Sequence, residues 1–188
     1  MCTTHVETLS IKQPLTVYKI VLVLHKGGNE AIDPKYISPF YKKLIHCDAI
    51  NGIIPYEADS PRERLYWNSE FKTYAAKGFI HAYCDLDSAC NDFGFYIENF
   101  VDNLGYVPEL WECEIPVAQE SDANTYCVKG IFDLQKDSYC IAARRMYFKR
   151  RISYSDIAEC RRKNKKCAYI NEKNIIDKLQ WKEKTVNS

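Results

Sequence analysis

The spacing of hydrophobic and polar positions changes along the chain, and each change predicts an element. Residues 1–14 carry no period and stop at Pro14, so they read as a flexible N-terminus. TVYKIVLVL, residues 16–24, is an apolar run rich in β-branched residues, the pattern of a strand in the middle of a sheet. The stretch that follows holds the turn formers Gly27, Gly28, Asn29, Pro34 and Pro39. A second strand is expected from Phe40 to His46. Residues 51–72 read as loop and broken structure, packed down by Tyr56, Tyr66, Trp67 and Phe71.

KGFIHAY, residues 77–83, is the next strand. Asp85 stands where a carboxylate can accept the free backbone N–H groups of a helix start. Leu86, Ala89, Cys90, Phe93, Ile97, Phe100, Val101 and Leu104 then recur at steps of three and four, one apolar stripe that predicts a long helix against the sheet. Gly94 weakens that helix and Gly105 is placed to end it.

ELWECEIPV, residues 109–117, alternates, with Trp111, Cys113 and Ile115 on one face and Glu112 and Glu114 on the other. That is an antiparallel strand with one wet face, and Pro116 marks its end or an edge. NTYCVKGIF gives a further short strand. In YCIAARRMYFKRRI, Met146, Phe148 and Ile152 alternate with Arg145, Tyr147, Lys149 and Arg151, which favours a strand after an Ala-Ala entry. Ser155 is read as the cap of a helix from Asp156 to about Lys166, and EKNIIDKLQWKEK as a last short helix. The order implies an α+β protein: a mainly antiparallel sheet packed by one long helix, with a helical C-terminal segment. The expected organisation is a flexible residue 1–14 arm, an α+β domain over 15–153, and a basic helical segment over 154–188.

Composition narrows the class. Hydrophobic residues make up 46% of the 188 positions and charged residues 27%, which describes neither a disordered chain nor a membrane span. The N-terminal MCTTHVETLS is too polar for a secretory signal, Met1 is not followed by Gly, and TVNS is no prenylation box. The expectation is a soluble cytoplasmic protein with no membrane contact. The nine cysteines are scattered and form no CxxC, so they read as reduced, mostly buried side chains rather than disulfides or a zinc site.

The opening VYKIV, ISPF at 37–40, KGFIHAY with the helix through Ala89, WECEIP at 111–116, Tyr126 with Gly130, and IAARRMYF at 141–148 occur in an order that carries a resemblance. The chain resembles a loose group of small uncharacterised proteins from phages, prophages and gut Bacteroidetes. The resemblance implies a phage-linked origin, hence the cytoplasm of a host cell, and brings no catalytic residues with it.

Among candidate chemical residues, His81 shares a strand face with Phe79 and Tyr83, while Ile80, Ala82 and Cys84 take the other. The small-residue face suits the long helix. The aromatic face would line a cleft in which His81 could serve as acid or base. Glu112 and Glu114 project side by side, as paired carboxylates for acid–base work do. A strand histidine, tyrosines and a strand glutamate are similar, by analogy only, to the sites of ADP-ribosyltransferase-like enzymes. HKGGNE is a turn, being neither a P-loop nor a dinucleotide fingerprint, and no cofactor or metal is expected.

Charge is distributed unevenly. Between residues 144 and 166, ten Lys and Arg stand against Asp156 and Glu159, a local charge of +8, while the rest of the chain carries −7. On a regular strand Arg145, Lys149 and Arg151 would share one face, and Arg161 and Lys165 would share a helix face. Together they form a positive stripe suited to nucleic acid or to an acidic protein surface. The alternative within the chain is that its own acidic half takes up this charge. The leading expectation is a non-enzymatic accessory protein that contacts an anionic partner through this region. A small enzyme around His81 is the competing reading.

Overall fold

The computed structural model describes residues 2–9, 12–24, 35–39, 43–57, 64–68, 73–77, 79–97, 106–117, 127–133 and 138–164. Of the sequence expectations, the stripe beyond Ile97, Gly105, Lys165 and the last helix lie outside these residues. The described residues form twelve strands: β1 (Cys2–Leu9), β2 (Leu15–Leu24), β3 (Lys35–Ser38), β4 (Lys43–Ile45), β5 (Tyr56–Glu57), β6 (Arg64–Asn68), β7 (Thr73–Lys77), β8 (Ile80–Tyr83), β9 (Tyr106–Ile115), β10 (Cys127–Asp133), β11 (Ser138–Ala143) and β12 (Arg145–Ile152). Among the same residues, three helices accompany them: α1 (Cys47–Ile50), α2 (Leu86–Tyr96) and α3 (Tyr154–Lys163). The described pairs are antiparallel, in the order β5-β12-β9-β2-β8-β11-β10-β1-β7-β6, with β3 on β2 and β4 on β3. The structure therefore has strands and helices, and the sheet dominates.

Strand β2 is central because it is apolar on both faces. Val17, Val21 and Val23 enter one buried cluster, and Ile20 and Leu22 enter the other. The first cluster also takes Cys113, Ile115, Ile141, Ala143, Met146 and Phe148. Strands β11 and β12 are joined through Arg144 alone, yet three strands lie between them in the sheet. In a flat sheet they would stand roughly 19 Å apart, and a one-residue link reaches only about 7–8 Å. The sheet must curl, and the first cluster fills the inside of the curl. The turn after α1 lies close to this layer: Gly52 has φ 73°, and a Cβ there would meet the Phe148 carbonyl oxygen at 3.2 Å.

The second cluster lies between the sheet and the two longer helices. Ala89, Cys90, Phe93 and Ile97, at steps of three and four, pack with Ile20, Leu22, Leu110, Ile152 and Ile157. The Asp85 side chain accepts the Ser88 N–H at 2.7 Å and caps α2 as the sequence predicts. Two hydroxyls pin the layer: Tyr83 donates to Asp92 at 3.0 Å, and Tyr154 donates to the Pro108 carbonyl at 3.1 Å.

Several sequence expectations change. Residues 2–9, read as a loose arm, form β1 between β10 and β7. The 51–72 region contains β5 and β6. Strand β9 starts at Tyr106 and lies between β12 and β2, so Pro116 marks its end and not an edge. YCIAARRMYFKRRI is two strands, because the chain must turn the corner at Arg144. The α3 cap is Ser153, whose hydroxyl accepts the Asp156 N–H at 3.1 Å, while Ser155 falls inside the first turn.

Candidate anion-contacting site

Strand β12 carries three of the basic residues that the sequence singles out, Arg145, Lys149 and Arg151. Phe148 opposes Cys113 in the first cluster and Ile152 opposes Leu110 in the second, although strict alternation would put Phe148 and Ile152 on one face. A β-bulge between Phe148 and Arg150 causes this change of face. Arg145, Lys149 and Arg151 therefore do not form the single row that strict alternation predicts.

Each of these cations meets a glutamate. Arg145 Nε donates to Glu57 Oε1 at 2.8 Å, and Lys149 Nζ lies 3.2 Å from Glu114 Oε1. Arg150 Nη2 donates to Glu112 Oε2 at 2.8 Å. Arg151 Nη1 donates to Glu109 Oε1 at 3.0 Å, and Glu109 Oε2 accepts the Trp111 indole N–H at 2.9 Å. Glu109 is the one carboxylate of these four that is nearly buried, with a side chain 8% exposed. Glu112 and Glu114 do project side by side, but each faces a cation across the strand pair, which is a charge ladder rather than a carboxylate dyad.

Arg161 is placed differently. It lies in the last turn of α3, four residues after Ile157, on the face that packs toward α2, and it is 3% exposed. Its Nε and Nη2 atoms are shielded and have no hydrogen-bond partner among the described residues. These two nitrogens form an edge of the guanidinium that can grip a carboxylate or phosphate with parallel hydrogen bonds. Arg162 and Lys163, next along the helix, are exposed, and Lys163 pairs with Glu159 at 2.7 Å. Lys165, expected from sequence to share a helix face with Arg161, lies outside the described residues.

His81 is 5% exposed. The expected division of β8 is reversed: Tyr83 packs under α2 in the second cluster, whereas Ile80 and Ala82 face the inside of the curl. The aromatic side is thus the helix-bearing side.

Sequence reasoning overlooked two buried charges. Lys19 is 3% exposed, donates through Nζ to the His81 carbonyl at 3.0 Å, and lies 5.9 Å from the Tyr56 ring centroid. Burial lowers its pKa to about 8. Glu109 is the other. Both had a signal: a lysine inside an apolar strand buried on both faces has no wet side, and Glu109 has the parity of Trp111 and Cys113. Among the described residues no group of three His, Cys, Asp or Glu is arranged to hold a metal ion, and no helix is long and apolar enough to cross a membrane.

The chain matches no family model, no curated protein and no solved structure.

Proposed function

We propose that this chain is a small non-enzymatic binding protein that meets an acidic protein surface through the C-terminal end of α3, with Arg161 as the anchor. The observation that supports the reading is the contrast among the cations. Those of β12 already hold Glu57, Glu114, Glu112 and Glu109, whereas the Nε and Nη2 atoms of Arg161 are buried without an acceptor among the described residues. A guanidinium edge shielded from water with two N–H groups unsatisfied costs several kcal/mol, on the order of the penalty for breaking a buried ion pair. A carboxylate offered by a partner relieves that cost with two charge-assisted hydrogen bonds. The last turn of a helix is also where the backbone dipole favours a cation, and where a side chain can swing out with the least disruption.

An acidic protein is favoured over nucleic acid because a phosphate backbone needs a row of available cations, and the β12 row is neutralised within the chain. The test is a titration of the labelled chain with a polyglutamate peptide and, separately, with a single-stranded oligonucleotide, at low and moderate salt. Binding of the peptide, weakening as salt rises, is expected. Binding of the oligonucleotide alone would move the partner to nucleic acid, and binding of neither would end the anionic-partner reading.

A further inference from the structure

Helices α2 and α3 each bring a cysteine to the layer between them. Cys90, at the centre of α2, is fully buried, one helical turn beyond Asp87, and Cys160 of α3 packs against the same cluster. Cys160 is only partly buried, and its Sγ donates to Asp87 Oδ1 at 3.1 Å. Both side chains pack in the layer that holds the two helices together. The two cysteines are therefore unequal: Cys160 is partly exposed with a carboxylate beside it, and Cys90 is buried one helical turn along from that carboxylate.

We infer that Cys90 and Cys160 are an oxidisable pair that a low-molecular-weight disulfide converts into a covalent link between α2 and α3. This modification site is separate from the proposed partner contact and does not depend on it. The exposed member reacts first. As Cys160 Sγ attacks the incoming disulfide, its proton passes to Asp87 and on to water, one thiolate leaves, and a mixed disulfide forms on Cys160. Cys90 then loses its proton to the departing thiolate, attacks Cys160 Sγ and expels the second thiol. Two protein thiols are oxidised to one disulfide, and the small disulfide is reduced to two thiols. Burial pushes the Cys90 thiol well above the usual range. It is thus inert toward bulk reagents and reacts only with a sulfur delivered to it.

The link would close a loop of roughly 70 residues, which restricts the unfolded chain and raises stability. The experiment treats the native full chain with glutathione disulfide, digests it without reduction and maps the peptides by mass spectrometry. The expected product is a Cys90–Cys160 crosslinked peptide, with a Tm higher by at least about 5 °C that dithiothreitol reverses. Cys160→Ser should give neither. A glutathione adduct that persists on Cys160 with Cys90 unmodified would overturn the inference, as would no modification of either residue. The mapping is done on the wild-type chain, so its outcome decides the matter even if Cys160→Ser does not fold.

Discussion

The Lys19 ammonium donates to the backbone oxygen of His81, 62 residues away, at 3.0 Å. The contact occurs where the sheet divides. Strand β2 pairs with β8 only at Tyr18↔Tyr83, and from Leu22 onward it takes β3 as its neighbour instead. Continuing the first register would set Ile20 against His81. No further β2–β8 pair is described there, and the Lys19 side chain links β2 to the β8 backbone instead.

That cation is costly. Lys19 has a folded pKa of about 8 against an ordinary 10.5, so its stability contribution is negative wherever it is charged. Between those values the unfolded chain binds more protons than the folded one, and stability from this group rises with pH across the window. Below pH 8 the full cost is present, on the order of 3 kcal/mol. Lys19→Met should therefore be more stable than wild type at pH 7 by about 1–3 kcal/mol. Its advantage should shrink as pH approaches 10. Urea titrations at both pH values check this. A Met variant less stable than wild type at pH 7, with an unchanging gap, would show that the His81 contact outweighs the burial cost.

Phe93 lies at the contact between α2 and the sheet and is fully buried. Phe93→Ala should cost about 3–5 kcal/mol. Phe95, two residues on and 58% exposed, is the control: Phe95→Ala should change stability by less than about 0.5 kcal/mol. Thermal melts of the two variants separate a core helix from a surface one.

Arg151→Glu places like charges together at the nearly buried Glu109, and should destabilise the chain by about 1–3 kcal/mol. Arg145→Ala removes a half-exposed pair and should cost no more than about 1 kcal/mol. A double-mutant cycle of Arg151→Met with Glu109→Gln measures the coupling, and a coupling of zero would mean that the pair is ornamental.

The two serines at the start of α3 discriminate the cap. Ser153→Ala should cost about 1 kcal/mol because it leaves the Asp156 N–H without its acceptor, and Ser155→Ala should stay within about 0.5 kcal/mol. Chemical denaturation is sufficient to rank them.

What the sequence made legible was local. The apolar run at 16–24 and the Asp85 cap each follow from one element and its neighbours, and each is found where expected, whereas the long helix expected to run to Leu104 is described only as the 11 residues Leu86–Tyr96. What escaped depends on distant partners. Cys2–Leu9 has no apolar period because its strand is set by pairing with β10 and β7. The bulge after Phe148 shifts the faces of β12 without any Gly or Pro to announce it. Arg161 looked like one of ten surface cations, although its place four residues from Ile157 puts it on the buried face of α3. The glutamates that hold the β12 cations could be counted from sequence, but not matched to them without the β9 register.

The most direct test of the proposed contact is the Tm of wild type and Arg161→Met, each with and without saturating polyglutamate peptide. Without peptide, Arg161→Met should melt higher, since Met removes a buried charge whose Nε and Nη2 atoms lack an acceptor among the described residues. With peptide, wild type should rise by several degrees through preferential binding to the folded state, and Arg161→Met should not respond. An Arg161→Met chain that melts lower and still rises with peptide would contradict the account, because the guanidinium would then be a structural group and the anion would bind elsewhere.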